Sequence, residues 1–231
     1  MTLIEVLNAV LAESGFLERT SFTSSADVDD KQMVAIANRV AREIIDFYPW
    51  SSMLKAETIT MTSATVYPLP ADYKELIPDS VWELDGSKQV ELPTPDNRWY
   101  MYKFSAFSDG GILRAKLRGK NIELYDVQPG EAFSFEYQSN SAITDNSSVP
   151  KSSFTNDLDL WTLEPEMLIK GIQAKWGHAK MMPQYQEWKQ DFMQEMNSAI
   201  GRDAGGRTVG GQANTKGWMN SRSPYYPLYQ K

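Results

Sequence analysis

The spacing of apolar residues changes twice along this chain of 231 residues, and the changes restrict the folds open to it. In residues 1–55 apolar side chains recur every three or four positions, the spacing of one helix face. In residues 56–140 they alternate with polar ones, the spacing of a half-buried strand. Helical spacing returns in residues 161–201. This order predicts an α+β protein in which a small β-sandwich or barrel is inserted into an antiparallel helical bundle.

The first helical half has recognisable start and stop signals. Thr2 and Glu5 have the spacing of a capping box, and Gly15 provides a stop. A second helix is predicted from about Asp29 to Tyr48, because Pro49 ends it. Its expected buried face consists of Met33, Ala37, Val40, Ala41, Ile44, Ile45 and Tyr48.

The β module is predicted to contain about seven or eight short strands. One hairpin is expected to turn at residues 85–87 and a second at residues 118–121, where glycine interrupts two alternating segments. Residues 98–104 are predicted to form a further aromatic strand. Short strands separated by turn signals are typical of a sandwich or an open barrel.

The second helical half follows a linker loop, residues 141–160, that is rich in Ser, Asn and Thr. Pro165 suits the first turn of a helix, where its missing amide N–H is not needed. Pro183 should break or kink this helix, and the segment after it should end at Gly201. These helices are expected to complete the bundle that residues 1–55 begin.

The last thirty residues, 202–231, differ from the body in charge and composition. They contain five basic residues and one acid, so they carry +4, whereas the whole chain carries −7 and residues 1–201 therefore carry −11. Much glycine and no apolar period predict an extended arm without stable structure of its own. Aromatic, proline and basic side chains in it are candidates for binding a partner protein. These are Arg207, Lys216, Trp218, Arg222, Pro224, Tyr225, Tyr226, Pro227 and Tyr229.

No pattern of catalytic or cofactor-binding residues is evident, and we expect no enzyme and no cofactor. The chain has no cysteine, which excludes disulfides, thiolate nucleophiles and Cys-based zinc sites. His178, the only histidine, is expected to be structural. Asp157 and Asp159 favour a solvated loop over a metal pair, because hard cations need more oxygen ligands. The glycines of residues 205–211 lack the strand and the Lys-Ser/Thr ending of a phosphate-binding loop.

No apolar run approaches eighteen residues, so we expect no membrane span. The N-terminal residues lack the basic leader and cleavage site of a secretion signal, and we expect the protein to be made and used in a cytoplasm.

Two short motifs and the element order resemble a known family. FYPW, residues 47–50, follows the helical pair, and YPLPADY, residues 67–73, lies among the first strands. With the return to helices and the loose tail, the chain resembles the head-to-tail adaptor proteins of short-tailed bacteriophages, also called tail tubular protein A. The resemblance covers roughly residues 1–200. That family has no catalytic residues to transfer.

The resemblance implies a structural virion protein of the tail or neck, assembled in the host cytoplasm. It implies a dodecameric ring beneath the portal, with the C-terminal arm docked into the portal protein. The other face would receive the tail nozzle or tube protein, and double-stranded DNA would pass through the lumen without sequence-specific contacts. An acidic body suits such a conduit, because like charge lets the duplex slide.

The segment VYPLPADYKELIPDSVW, residues 66–82, is expected to wrap one edge of the sheet, because its prolines prevent continuous ladder pairing. It would hold the β module against the helices and present side chains to the downstream tail protein. The candidates are Tyr67, Pro68, Pro70 and Tyr73.

Two other functions stay open. A β-sandwich could bind a carbohydrate or receptor through Trp82, Trp99 and Tyr102. Core packing is the stronger expectation for these side chains, and the sequence shows no repeat of the adhesin type. A cell-wall hydrolase could use Glu164 and Glu166, although their place in a first helical turn favours capping and a dipole interaction.

Overall fold

Helices and antiparallel sheets occur together in the structure, as the apolar spacing predicted. The computed structural model describes residues 1–84, 90, 99–101, 114–125 and 129–207, of which residues 205–207 are described by their backbone. The helices of this part are α1 (Leu3–Glu13), α2 (Val28–Phe47), a 3-10 turn (Ser51–Met53), α3 (Pro165–Ala179) and α4 (Tyr185–Arg207).

Local capping interactions account for where the first two helices begin. The predicted capping box of α1 is confirmed: Thr2 N–H donates to Glu5 Oε2 at 2.8 Å, and Glu5 N–H donates to Thr2 Oγ1 at 3.4 Å. Asp27 begins α2 by accepting from Asp29 N–H at 2.9 Å. This helix ends at Phe47, because Tyr48 is already extended ahead of Pro49.

Helix α3 is the central helix of the described part and packs against α1, α2 and α4. It buries side chains on most of its circumference, which is typical of a helix surrounded by protein. Gly171 and Gly177 let neighbours approach closely, with Val40 and Phe192 beside the first and Trp188 beside the second. The shared core contains Leu3, Val6, Leu7, Val10, Met33, Ala37, Val40, Ile44, Leu168, Ile172, Trp176, Met196 and Ala199.

Three antiparallel sheets contain the strands of the described part. These strands are β1 (Leu54–Thr60), β2 (Val66–Pro68), β3 (Tyr73–Leu76), β4 (Trp82–Glu83), β5 (Arg114–Arg118), β6 (Asn121–Tyr125), β7 (Ala132–Ser139), β8 (Ile143–Thr144), β9 (Pro150–Lys151) and β10 (Leu160–Trp161). In the first sheet β7 pairs with β1 on one side and with β3 and β4 on the other. The second has the order β2-β6-β5 and the third the order β10-β8-β9.

The first two sheets share one hydrophobic core. Strand β7 contributes Phe133, Phe135 and Tyr137 to it, because its alternate side chains face the same side. The remaining members of this core are Met61, Tyr67, Leu69, Val81, Val90, Ala115, Ile122 and Leu124.

Of the two predicted hairpin turns, the one at residues 118–121 is confirmed. Strands β5 and β6 form the second hairpin, turning at Gly119, whose φ of 60° requires the left-handed region. In the first hairpin Val90 N–H donates to Val81 O at 3.0 Å, while residues 85–87 lie outside the described part.

Three local predictions were wrong. Residues 99–101 are helical, not extended, because a helical turn buries Trp99 while Tyr100 and Met101 both face solvent. The linker 141–160 contains the short strands β8, β9 and the start of β10, because Ile143 and Phe154 belong to the helical core. Helix α4 continues past Gly201 to Arg207.

Candidate interaction surfaces

Of the predicted arm residues, Arg207 belongs to the described part, as the last residue of α4. The others lie outside the described residues: Lys216, Trp218, Arg222, Pro224, Tyr225, Tyr226, Pro227 and Tyr229.

The last turns of α4 are attached to the body by two neighbouring residues, which we call the arm base, Arg202 and Asp203. The Asp203 carboxylate accepts from Ser51 N–H at 3.1 and 3.2 Å and also from the Ser51 hydroxyl. Arg202 Nη2 donates to Glu164 at 2.6 Å and to Glu195 at 2.7 Å. These contacts explain why the helix passes Gly201, and they attach the last described turns of the chain to the body.

A cavity of about 230 Å³ lies beside the arm base. Its lining combines apolar and polar side chains, namely Trp50, Leu163, Met167, Ala199, Ser52, Thr162, Glu164, Arg202 and Asp203. The charged groups bind one another or neighbouring residues: Arg202 binds Glu164 and Glu195, and Asp203 accepts from Ser51.

The predicted tail-facing residues lie on the segment that joins the first two sheets. Tyr67 is buried on β2 and accepts at its hydroxyl from Thr62 N–H at 2.7 Å. Pro68 is exposed, and Pro70 is half-buried with its carbonyl accepting from Tyr73 N–H at 3.0 Å. Tyr73 is half-buried on β3, with its ring centre 5.8 Å from that of Tyr137. The segment therefore supplies an edge strand to each of two sheets.

Asp72, in the connection between β2 and β3, is bound to strands β1 and β7 of the first sheet. Its carboxylate accepts from Lys55 Nζ at 2.5 Å, from the Ser139 hydroxyl at 2.9 Å and from the Tyr137 hydroxyl at 3.0 Å. Burial alone would raise the pKa of Asp72, but the hydrogen bonds from Lys55, Ser139 and Tyr137 outweigh it and lower that pKa. The pKa of Tyr137 is raised, first by burial and then by its bond to Asp72.

Sequence reasoning missed Asp72. An aspartate two residues after proline is a turn signal, but its partners lie between 17 and 67 residues away. Nothing in the local pattern indicates them.

Lys74 fastens the same segment to the helices. Its Nζ donates to the carbonyl of Ile45 at 3.0 Å and pairs with Asp46 at 2.8 Å. Ile45 lies in the last turn of α2, where carbonyls have no intrahelical partner and the helix dipole is negative. Within this segment, Lys74 therefore contacts the last turn of α2.

The expectation that Asp157 and Asp159 lie in a solvated loop was wrong for Asp159, which is only 2% exposed. Asp159 accepts from the amides of Thr155 and Asn156 at 2.7 and 2.8 Å and from Lys151 Nζ at 2.7 Å. For both aspartates burial would raise the pKa, but hydrogen bonds outweigh it, and both pKa values are lowered.

Asp157 anchors a distant loop. It accepts from the Ser21 hydroxyl at 2.6 Å and from the amides of Phe22 and Thr23 at 3.1 and 3.0 Å. Both carboxylates are therefore structural acceptors, and within the described residues no group of three or more acidic or histidine side chains could hold a metal ion.

The other candidate residues have structural surroundings. His178 is exposed at the end of α3, edge-on to the Tyr185 ring with centroids 5.2 Å apart. Glu164 pairs with Arg202, whereas Glu166 lies in the first turn of α3. No helix of the described part is both long and apolar enough to cross a membrane.

A stacking platform that includes Trp99 is not available in this structure. Trp99 is 1% exposed and belongs to the buried set, whereas Trp82 on β4 is 44% exposed. The core-packing expectation is therefore right for Trp99 and wrong for Trp82, and Tyr102 lies outside the described residues.

A family model described as SU10 adaptor protein matches residues 1–216 of the chain. No curated protein matches it. The matched range covers both helical halves, the β module and the arm base.

Proposed function

The chain belongs to the SU10 adaptor protein family, a family of structural phage adaptors, and we propose that it forms the ring that joins the portal to the tail. The family assignment confirms the resemblance to phage head-to-tail adaptors, and it makes the chain a component of the virion tail or neck. In the proposed assembly the ring is a dodecamer, and DNA passes through its centre.

The observation that carries the proposal is the arm base. Contacts of Arg202 and Asp203 anchor the end of α4, so the arm leaves the body from a defined point. Residues 208–231 carry three cations and no acid. They also contain aromatic and proline side chains, which bury large area at low entropic cost.

We assign the arm to the portal protein. Trp218, Tyr225, Tyr226 and Tyr229 serve as anchors in pockets of the partner, with Pro224 and Pro227 limiting the conformations that docking must select. The cations Arg207, Lys216 and Arg222 complement an acidic rim.

We assign the edge formed by β2 and β3 to the downstream tail nozzle or tube protein. Pro68, Pro70 and Tyr73 reach the surface there, and Tyr67 supports them from the core. Asp72 attaches this edge to β1 and β7, and Lys74 attaches it to the last turn of α2, which reduces the ordering cost of binding.

The body suits a DNA conduit electrostatically. Residues 1–201 carry −11, so the phosphates of a passing duplex meet repulsion instead of adhesive contacts.

The test is deletion of residues 208–231, which leaves Arg202 and Asp203 in place. The shortened chain should keep its thermal unfolding midpoint but lose binding to purified portal protein in sedimentation velocity. A matched full-length control, with Trp218, Tyr225, Tyr226 and Tyr229 changed to Ala, should also lose binding, whereas Trp82→Ala should not.

If the shortened chain still binds portal protein, the arm does not form the portal contact. If negative-stain images of the intact chain mixed with portal show no rings, the adaptor function itself is wrong.

A further inference from the structure

The β5–β6 hairpin is basic in an acidic body. Residues 114–125 contain four cations and one acid, Glu123, and so carry +3. The remaining residues of the range 1–201 therefore carry −14. A segment of opposite sign to its own surroundings is a candidate for contact with an acidic partner.

Three of the four cations lie toward the turn of the hairpin, whereas Arg114 is buried. Strand alternation turns Ala115 and Leu117 toward the β core and Lys116 and Arg118 away from it. We call Lys116, Arg118 and Lys120 the basic edge. Arg118 is 58% exposed and only 3.6 Å from Glu123, and Lys120 is exposed at the turn without an ion-pair partner in the described part of the chain.

A complementary set of carboxylates lies on α4. Glu187, Asp191 and Glu195 recur at intervals of four, on one face of the helix. Glu195 pairs with Arg202 and Lys170. Glu187 and Asp191 are exposed, and neither pairs with a cation among the described residues. We call these two the acidic stripe.

The acidic stripe is unfavourable in the isolated chain. Like charges four residues apart on a helix repel each other. The helix dipole compensates Glu187, which lies in the first turn, but its effect falls off before Asp191. Cations from outside the chain would relieve this repulsion.

The two surfaces match in spacing, and no ion pair joins them among the described residues of one chain. Residues two apart on a strand are about 6.6 Å apart, and residues four apart on a helix are about 6 Å apart. Helix α4 approaches the β part at Asp203, through Ser51 directly before β1. The acidic stripe lies roughly 18–24 Å back along the helix axis from Asp203.

We propose that the basic edge of one copy binds the acidic stripe of the next copy. This inference rests on the proposed ring. A contact between two different surfaces of identical chains is heterologous, and it produces a ring when the rotation between neighbours closes. DNA is the weaker partner for the basic edge, because the −14 of the surrounding body repels phosphate.

The absence of cysteine from the sequence allows a clean test. Full-length copies carrying Asn121→Cys, exposed beside Lys120, are mixed with copies carrying Gln194→Cys, exposed beside Asp191 on the same helix face, and treated with a short bis-maleimide. We expect a cross-linked dimer at a rate roughly tenfold above that of Asn121→Cys with Lys189→Cys, because residue 189 lies on another side of the same helix. Equal rates for the two mixtures would overturn the proposal.

Charge reversal provides the second readout. R118E/K120E copies alone and E187K/D191K copies alone should assemble poorly with portal protein. A one-to-one mixture should assemble again, because each reversed surface then meets its opposite charge. Normal rings from either variant alone would overturn this inference and leave the adaptor function intact.

Binding to a duplex DNA of defined length tests whether DNA, and not a second copy, is the partner of the basic edge. If R118E/K120E copies lose DNA retention in a mobility-shift assay while the cross-linking rate is unchanged, the basic edge is a DNA surface and the proposal is wrong. If the intact chain forms no rings with portal but the designated cysteines still cross-link selectively, the contact stands and the proposed function fails.

Discussion

At the scale of single residues, Gly171 has the tightest surroundings of the glycines in the described part of the chain. A Cβ added there would lie 2.5 Å from Val40 Cγ1 and 2.9 Å from the Phe192 ring. Val40 belongs to α2 and Phe192 to α4, so this glycine sets how closely α3 packs against both. We predict that Gly171→Ala lowers the free energy of unfolding by about 1–3 kcal/mol, because a packed core resists added volume. Chemical denaturation followed by circular dichroism measures this.

Gly201→Ala is the matched control. This glycine also lies within a helix, but a Cβ there meets nothing within 4 Å. Alanine should stabilise the chain by about 0.5–1 kcal/mol, because it costs less backbone entropy than glycine in a helix. If both substitutions lower the free energy of unfolding, then neither helix propensity nor the packing around each glycine determines the effect of the added methyl group.

At the scale of elements, the end of α4 depends on a tertiary contact. The helix passes Gly201 because Asp203 accepts hydrogen bonds from Ser51 and Arg202 binds two glutamates. Asp203→Asn removes the charge with little change in helix propensity, and it should weaken this attachment by about 1 kcal/mol. We predict that trypsin then cleaves after Arg202 about fivefold faster, since cleavage follows the population of the opened turn.

Gln190→Ala, an exposed change in the same helix, controls for effects on α4 as a whole. It should leave the cleavage rate after Arg202 unchanged. An unchanged rate in Asp203→Asn would show that the arm base does not hold the end of the helix.

At the scale of the whole molecule, Asp72 and Asp157 join distant parts of the chain, and Asp159 closes the loop that follows Lys151. Asp72, Asp157 and Asp159 all have lowered pKa values, because hydrogen bonds to their carboxylates outweigh burial. A group whose folded pKa lies below its unfolded value stabilises the fold above the unfolded value, near about 4, and loses that contribution as pH falls through the folded value. We predict a nearly constant unfolding free energy between about pH 7 and 5 and a steep loss below about pH 4.

Asp157→Asn tests the assignment of this pH dependence. It should cost about 1–3 kcal/mol near neutral pH and make the loss below about pH 4 shallower, as measured by urea unfolding at each pH. Glu18→Gln, an exposed change, controls for removal of a negative charge. If Asp157→Asn does not change how steeply the unfolding free energy falls with pH, then groups other than Asp157 cause the acid sensitivity.

Short-range signals in the sequence determined which elements form and approximately where. The capping box of Thr2 and Glu5 and the first-turn position of Pro165 act within a few residues, so pattern reading recovered the helices. The alternation of side chains within β1 and within β7 could be predicted for the same reason. Tertiary structure alone decided the attachments between elements. Asp203 reaches Ser51 across 152 residues and Asp157 reaches Ser21 across 136. No local pattern encodes such pairs, because the free energy of a buried carboxylate depends on donors that only the folded chain brings together.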